Sequence, residues 1–350
     1  MERDNSEMIN FDPMRQDLYW LVNSCLLKYY NISLVSTPFM FIMGKVNRLS
    51  GDISAKGKTI LITGCNRGIG RTTAIDLARR GASVIMACRN IEAASKVAEE
   101  IKSETGQQSA TIISLDLSSL SSIKKAADEI NSKYDKIDIL INNAGIYGSA
   151  DRKITEDGNE MHFQSNHLGP FLLTRLLLPK LKASSPSRIV NVSSEAHRLT
   201  RSIDLDDVNF EKKYSSFNAY CVTKLENILF TNYLARELKD SGVTVNALHP
   251  GTIETGLLNN SAFSKYFYGW LGPLKRLFVK SDEEGAQTTV YCALEPSLSN
   301  VTGKYFDNCK ERSASSLATD LGLAKRLWDL SEKMTASYLG LKTENNKTMP

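Results

Sequence analysis

A tyrosine and a lysine lie four residues apart in the stretch YCVTK, at Tyr220 and Lys224. On a helix, this spacing places both side chains on one face. A free tyrosine has a pKa of about 10 and exchanges protons poorly at neutral pH. A neighbouring ammonium would favour the phenolate and lower that pKa. The two residues are therefore either an exposed surface pair, or a tyrosine that donates protons and a lysine that lowers its pKa.

A glycine-rich turn, TGCNRGIG at residues 63–70, follows a short β-branched run and opens a segment with helical periodicity. Glycines at such a turn allow a tight bend, a close approach of the backbone to a pyrophosphate, and close packing of helix on strand. Because the turn lies between a strand and a helix, as the dinucleotide motif requires, it predicts nucleotide binding. The cofactor-binding residues expected in this turn are Gly64, Asn66, Arg67, Gly68, Ile69 and Gly70.

The end of the second predicted strand bears on which nucleotide is bound. An acid there would accept a hydrogen bond from the ribose 2′-hydroxyl of NAD(H). Residues 87–90 read ACRN and contain no acid, whereas Arg89 lies there and Arg67 lies in the glycine turn. Since arginine binds phosphate through paired, charge-assisted hydrogen bonds, the sequence favours NADP(H). The alternative is that Arg89 only ends the strand, with its side chain in solvent and no role in binding.

Asp116 ends the third predicted strand, in SLDL. Its carboxylate could accept a hydrogen bond from the adenine amino group of the cofactor. It could also cap the helix that begins with SSLSS. Both roles can hold through different atoms.

Composition excludes several other classes of protein. The chain has 350 residues, 42% of them hydrophobic, and a net charge of +4 from 43 basic and 39 acidic residues. No basic block indicates a nucleic-acid partner. The six cysteines form no C-x-x-C pair, which argues against a disulfide framework or a zinc site. The four histidines are too dispersed to predict a metal site.

From residue 58 onward, short apolar runs alternate with helical patterns. Runs such as KTILITG, SVIMACR and SRIVNVSS predict strands, and residues 160–182 and 215–242 predict two long helices. This alternation predicts an α/β fold, with a doubly wound parallel sheet covered by helices on both faces. We expect an N-terminal extension at 1–57, the nucleotide-binding domain at 58–334, and a flexible tail at 335–350.

Five motifs occur in one order: TGCNRGIG, NNAG at 142–145, NVSS ending at Ser194, YCVTK, and HPGT at 249–252. Together they resemble the short-chain dehydrogenase/reductase family, from residue 58 to about residue 330. The segments RIVNVSSEAH, AYCVTKLEN and NHLGPFLLT resemble those of the retinol dehydrogenase branch, whose members reduce retinal and other apolar carbonyls. Residues 199–207 depart from that branch, so the resemblance defines the chemistry better than the substrate.

The resemblance implies a role for each catalytic position. Tyr220 would be the general acid/base, and Lys224 would also bind the hydroxyls of the nicotinamide ribose. Ser194 would donate a hydrogen bond to the substrate oxygen. Asn166, in FQSNHLG, would hold a water that relays protons to Lys224. The alternative for Asn166 is a buried amide whose hydrogen bonds are satisfied within the core.

The resemblance also implies further cofactor contacts from Asn143, Ala144 and Gly145, and from Thr252. The first three would line the cofactor, and Thr252 would reach the nicotinamide carboxamide or the phosphates. Glu226 departs from the pattern, because many relatives have a small residue at this position.

Two segments predict contact with a membrane. Residues 18–43 carry one charge among apolar and aromatic residues, and the flanking basic residues 45–58 would place the domain on the cytosolic side. Residues 264–280 combine aromatic rings with four basic residues, as interfacial segments do. We expect attachment to a membrane, that of the endoplasmic reticulum. The alternative is that both segments pack on the domain.

The sequence therefore predicts an NADP(H)-dependent oxidoreductase that interconverts a small apolar carbonyl, such as retinal, and its alcohol. A steroid or lipid-aldehyde reductase with the same mechanism is one alternative. A nucleotide-binding scaffold without activity is another, although a scaffold would need none of the four catalytic residues.

Overall fold

The computed structural model describes residues 46–148, 151–251 and 280–341. The strands within these residues are β1 Thr59–Thr63, β2 Ser83–Cys88, β3 Ala110–Ser114, β4 Ile139–Asn142, β5 Ser187–Val192, β6 Val243–His249, β7 Lys304–Asp307 and β8 Lys310–Arg312. They form one sheet in the order β3-β2-β1-β4-β5-β6-β7-β8. Strands β1 to β7 run parallel, and β8 pairs antiparallel with β7.

The main helices of the described residues cover both faces of this sheet. They are α1 Gly68–Arg79, α2 Ile91–Thr105, α3 Leu120–Lys133, α4 Gly169–Ala183, α5 Ser216–Glu237, α6 Asp282–Leu294 and α7 Leu321–Leu339. Shorter helical segments are Met161–Phe163, Gln164–Leu168, Glu195–Leu199, Pro296–Leu298 and Leu317–Thr319.

Strand β1 shows why the sheet is buried on both faces. Ile60 and Ile62 pack in a core layer with residues of α1, α2 and α6. Leu61 points to the opposite layer, which α3, α4, α5 and α7 supply. Burying an aliphatic side chain of this size contributes about 1.5–3 kcal/mol, so both faces of the strand must be apolar. The predicted doubly wound fold is confirmed.

The order of the strands reverses next to β1. The chain first builds outward from β1 to β2 and β3, and then crosses to β4, β5 and β6 on the other side. In such sheets, a crevice opens at the carboxyl ends of the two strands that flank the reversal. The glycine turn follows β1 and NNAG follows β4, so both lie at this crevice.

The predicted helix over 160–182 is interrupted by a π-helical segment, Gln164–Leu168. All five of its residues are buried, including Asn166. Segments of π-helix are rare and often occur at functional sites. The sequence does not reveal this change from an α-helix to a π-helix. The apolar residues on either side of the segment still recur with the spacing of one continuous buried helix face.

Residues on both sides of the predicted domain, 58–334, also pack on it. Leu49 and Ala55 are buried in the main core, and the side chain of Asn47 donates a hydrogen bond to the carbonyl of Asn308 at 2.9 Å. Helix α7 continues through residues 335–339, within the predicted tail, and Thr335 is buried there.

Three elements were not predicted from the sequence: α6, α7 and β8. The residues of β8, KER, are all exposed at the edge of the sheet, so they carry no alternation of apolar side chains. Helix α6 is buried through small and polar residues, such as Gly285 and Thr289, that lack a helical apolar stripe.

Helix α5 carries a carboxyl group into the core. Glu226 is 1% exposed, and its Oε2 atom has no hydrogen-bond partner. Burial, and secondly the nearby carboxylate of Glu160, raise the pKa of Glu226 to about 8. Glu226 therefore keeps its proton in the folded protein at neutral pH, whereas the unfolded chain releases it above pH 4.5.

Replacing Glu226 should stabilise the protein at neutral and basic pH. Because the folded state holds a proton that the unfolded state loses, the wild type loses stability as the pH rises from about 4.5 to 8. Glu226→Gln removes this titration. The unfolding free energy of the variant minus that of the wild type should therefore increase by on the order of 3 kcal/mol between about pH 5 and pH 8.

Urea unfolding of both proteins at several pH values measures this difference. Glu237→Gln, an exposed position on the same helix, is the matched control and should show no such dependence on pH. A constant difference between Glu226→Gln and the wild type across this pH range would show that Glu226 is ionised in the folded protein.

Candidate active site

The glycine turn after β1 is packed so closely that one position admits only glycine. A Cβ atom on Gly70 would lie 2.4 Å from the Gly64 carbonyl oxygen and 2.5 Å from the Asn143 Nδ2 atom. Helix α1 can begin beside the ends of β1 and β4 only because this side chain is missing. The predicted role of Gly70 in helix–strand packing agrees with these contacts.

The start of α1 has the features of an anion site. Arg67 precedes the helix in extended conformation, and its side chain does not cap the first N–H groups. Gly68 has a φ of +57°, and a Cβ atom there would meet nothing within 4 Å. Backbone N–H groups that face open space at a helix N-terminus suit a phosphate, so this turn fits the pyrophosphate of a dinucleotide.

Thr63 and Asn143 fasten this turn to the neighbouring strand. The Thr63 hydroxyl accepts hydrogen bonds from the backbone N–H groups of Asn143, at 3.1 Å, and Ala144, at 3.0 Å. The Asn143 amide donates to the carbonyls of Thr63, at 2.9 Å, and Gly64, at 3.2 Å. The side chain of Asn143 therefore holds the glycine turn against the end of β4.

Arg89 and Asp116 lie together beyond the carboxyl ends of β2 and β3. Their charged atoms are 3.7 Å apart, and the Arg89 side chain is 71% exposed. A loose pair of this kind contributes little to stability, so the guanidinium can exchange it for another anion. Asp116 does not cap α3, because Ser119 is the N-cap residue of that helix, while Asp116 accepts from the Ser118 backbone N–H at 2.9 Å.

Tyr220 and Lys224 lie on one face of α5, as predicted. The Lys224 Nζ atom is 5.6 Å from the centroid of the Tyr220 ring. Lys224 is only 4% exposed, and its ammonium donates to the Val192 carbonyl at 3.1 Å. Burial lowers the pKa of Lys224 to about 8. The exposed surface pair is therefore excluded.

The pKa of Tyr220 differs from the sequence-based expectation. Burial raises the pKa of Tyr220 to about 12, and the hydrogen bond with the Ser194 side chain only partly opposes this effect. The net shift is therefore upward, because the effect of burial exceeds any lowering by the neighbouring Lys224 ammonium. At neutral pH the phenol carries its proton and can donate it.

Ser194 follows β5 and lies at the start of the short helix Glu195–Leu199. Its carbonyl oxygen accepts a hydrogen bond from His197 Nδ1 at 2.7 Å, while His197 Nε2 accepts from the Ser315 backbone N–H at 3.1 Å. The two partners fix a neutral imidazole with its proton on Nδ1.

The neighbouring Ser193 hydroxyl is buried and donates to the Lys224 carbonyl at 2.6 Å. Ser194 is thus the serine that faces Tyr220.

Asn166 ties the loop after β4 to helix α5. Its Oδ1 atom accepts from the Ile146 backbone N–H at 2.7 Å, and its Nδ2 atom donates to the Ile146 carbonyl at 3.0 Å and to the Thr223 hydroxyl at 3.1 Å. The side chain therefore has the role of a satisfied buried amide.

Gly145 allows Asn166 and Lys224 to approach this loop. A Cβ atom on Gly145 would lie 3.2 Å from the Lys224 Nζ atom and 3.5 Å from the Asn166 Oδ1 atom. The structure thus brings together Asn166, Ser194, Tyr220, Lys224 and Gly145 at the carboxyl edge of the sheet. Thr252 lies outside the described residues.

Sequence reasoning did not identify two residues that contact the site. His197 holds the Ser194 backbone, and Tyr147 packs its ring edge-on against Tyr220, with centroids 5.2 Å apart. His197 is the last residue of the motif RIVNVSSEAH, and Tyr147 follows NNAG by two positions. This proximity was the available signal, but nothing in the residue types alone assigns them a role.

The predicted membrane segments lie largely beyond what the structure describes. Residues 18–43 and 264–279 are outside the described ranges. Lys280, the last residue of the second segment, is 8% exposed and packs inside the domain, so it does not belong to a membrane-facing surface. Among the helices that are described, none is long and apolar enough to cross a bilayer.

Comparisons with known proteins agree with this geometry. The model of the family described as short chain dehydrogenase matches residues 58–264. Human retinol dehydrogenase 13 is 46% identical over 300 residues, covering 84% of this chain and 88% of that protein. Human retinol dehydrogenase 11 is 46% identical over 310 residues, covering 86% of this chain and 96% of that protein.

Solved structures show the same fold. A protein from Mycobacterium paratuberculosis superposes with a TM-score of 0.67 at 35% identity, covering 83% of this chain and 98% of the other. A short chain dehydrogenase from Escherichia coli CFT073, complexed with NADPH, superposes with a TM-score of 0.59 at 26% identity, covering 74% and 99%. The family uses NAD(P), and the glycine turn described above fits such a cofactor. The chain therefore belongs to the short-chain dehydrogenase family and is an oxidoreductase similar to the retinol dehydrogenases.

Proposed function

We propose that this protein uses NADP(H) to interconvert an apolar carbonyl compound of the retinal class and its alcohol. The observation that carries the proposal is the group formed by a protonated Tyr220, the Ser194 hydroxyl beside it, and the buried ammonium of Lys224 on the same helix face. A surface pair or a scaffold would not require a lysine to be buried here, because burying a cation costs free energy.

The reaction follows from these positions. When bound, the nicotinamide supplies a hydride to the carbonyl carbon, or accepts one from the alcohol. Ser194 donates a hydrogen bond to the substrate oxygen and stabilises the negative charge that develops there. Tyr220 then gives its proton to that oxygen.

Lys224 acts on the phenolate that Tyr220 leaves behind. Because the pKa of Lys224 is about 8, its ammonium is mostly charged at neutral pH. This positive charge, 5.6 Å from the Tyr220 ring centroid, stabilises the phenolate relative to the neutral phenol. In the oxidation of the alcohol, the same groups act in reverse, with Tyr220 accepting the alcohol proton.

The preference for NADP(H) rests on Arg67 and Arg89. Both side chains are exposed at the crevice, and no acid follows β2 at the position that would bind a ribose 2′-hydroxyl. The Escherichia coli relative complexed with NADPH supports this choice. The retinal class of substrate rests on the similarity to human retinol dehydrogenases 13 and 11.

Attachment to a membrane is part of the same proposal. Residues 18–43 form the apolar segment, and a lipid-soluble substrate would reach the enzyme from the bilayer. We place the protein on the cytosolic face of the endoplasmic reticulum, on the basis of the basic residues at 45–58.

Replacing Tyr220 or Lys224 should abolish turnover in different ways. Tyr220→Phe removes the proton donor, so kcat should fall by at least about 100-fold while NADPH still binds. Lys224→Met should weaken NADPH binding as well. It should also raise the basic limiting pKa in the pH–rate profile, because the phenolate loses its stabilising charge. Tyr233→Phe, on the same helix, is the matched control and should keep normal activity.

These quantities are obtained from NADPH oxidation with all-trans-retinal, a steroid ketone and a lipid aldehyde, together with the Kd of NADPH. Near-normal turnover of Tyr220→Phe would refute the catalytic role of that residue. A preference for the steroid or lipid aldehyde over retinal would reassign the substrate while leaving the mechanism intact.

Replacing Arg89 by aspartate should change the choice of cofactor. Arg89→Asp should lower kcat/KM for NADPH and raise the relative use of NADH, because a carboxylate repels a 2′-phosphate and accepts from a 2′-hydroxyl. Arg326→Asp, on the exposed side of α7, controls for the change in net charge. An unchanged ratio of the two kcat/KM values would remove Arg89 from the cofactor site.

Full-length protein should sediment with membranes from a fractionated cell lysate. Deletion of residues 1–45 should release a large part of it, because the apolar segment is then missing. Marker enzymes in the fractions identify the membrane. Recovery of the full-length protein entirely in the supernatant would contradict the membrane proposal and leave the catalytic proposal unaffected.

A further inference from the structure

A lysine outside the catalytic group is buried at the same edge of the sheet. Lys280 is 8% exposed and lies immediately before Ser281, the N-cap residue of α6. Its Nζ atom is not among the fully buried side-chain nitrogens that lack a partner, so the ammonium reaches the surface of the crevice while the stem is buried. A lysine whose stem is buried and whose ammonium is accessible holds a positive charge at a fixed place, where an anion in the crevice can reach it.

Lys280 runs along the backbone that follows β6. The position of a Cβ atom on Gly251 would be 2.5 Å from Lys280 Cδ, 2.8 Å from Cε and 3.0 Å from Nζ. Gly251 has a φ of +99°, a conformation that favours glycine, and the absence of its side chain leaves room for the lysine stem. The lysine stem is therefore held against the HPG turn, with its ammonium at the carboxyl edge of the sheet.

The start of α6 also lies beside the start of α1. Helices α1 and α6 pack against each other, and Gln287 Nε2 donates to Asp76 Oδ2 at 3.3 Å. Burial raises the pKa of Asp282. The guanidinium of Arg71, in the first turn of α1, lies close enough to oppose this rise. Lys280 thus lies between the turn after β6 and the helix N-terminus that fits a pyrophosphate.

The groups that face Lys280 do not supply a negative charge. Burial, and to a smaller degree the positive charge of Lys280, lower the pKa of His249 to about 4, although Glu195 acts in the opposite direction. Burial raises the pKa of the Cys309 thiol to about 11, so that thiol is neutral too. Glu195 is paired with Arg198. Among the described residues, these groups leave the ammonium able to pair with an anion that enters the crevice.

We propose that the Lys280 ammonium binds the phosphate of the dinucleotide that is nearer the nicotinamide. It would hold the pyrophosphate from the side of β6, while the N-terminus of α1 holds it from the side of β1. This inference deepens the proposed function and requires only that the cofactor is a dinucleotide. It gives Lys280 a role separate from Arg67 and Arg89, which lie toward the 2′-phosphate.

A test compares the binding of two cofactors to full-length protein. Lys280→Met keeps the length of the stem and removes the charge. It should raise the Kd of NADPH and of NADH by the same factor, about ten- to a hundredfold, because both carry the pyrophosphate. Lys280→Arg should stay within about threefold of the wild type. Lys310→Met, an exposed lysine on β8, is the matched control and should bind both cofactors normally.

Competition by cofactor fragments locates the contact. Lys280→Met should weaken the binding of ADP-ribose, which contains the pyrophosphate, and leave the binding of adenosine 2′-monophosphate unchanged. Circular dichroism and Tm confirm that each variant is folded. If Lys280→Met is unstable, Lys280→Gln takes its place in the same measurements.

Three outcomes would overturn the inference. Equal binding by Lys280→Met and the wild type would show that the stem only packs on Gly251 while the ammonium reaches solvent. A loss confined to NADPH would place Lys280 at the 2′-phosphate. Failure of the wild type to bind either cofactor would refute the proposed function as well, so the two failures can be told apart.

Discussion

The active site depends on the closeness of α1 to the ends of β1 and β4. The Gly70 position, with a carbonyl oxygen and an amide nitrogen within about 2.5 Å of where a Cβ would lie, leaves no room for any side chain. This contact places the N-terminus of α1 directly over the crevice. Because Asn143 bonds to the same turn, the loop that continues to Gly145 and Ile146 is fixed by the same packing.

From that loop, the constraint extends to the catalytic helix. Asn166 bonds both polar backbone groups of Ile146 and also the Thr223 hydroxyl, which itself donates to the Tyr220 carbonyl at 2.9 Å. A shift of the glycine turn would thus be transmitted through buried hydrogen bonds to Tyr220, the proposed proton donor. The nucleotide end and the proton-transfer end of the site are parts of one packed unit.

The sheet, and the placing of Tyr220 and Lys224 on one helix face, could be predicted from the sequence because both depend on local patterns. Strand periodicity, glycine spacing and the four-residue interval in YCVTK are all local. The pKa of Tyr220 was predicted in the wrong direction, because burial depends on what distant segments place around the ring. The π-helical pitch at Asn166 and the His197–Ser315 hydrogen bond also arise from tertiary contacts that no short window contains.

The hydrogen bonds between Asn47 and Asn308 set the geometry of the chain's entry into the domain. Asn308 follows β7, whose last residue pairs in register with His249 of β6, so this turn lies on the same side of the sheet as the catalytic group. The polypeptide that precedes Asn47 therefore joins the domain at the rim of the active site. Any surface to which that polypeptide were attached would therefore be joined to the domain at the edge of the sheet that carries Tyr220 and Lys224.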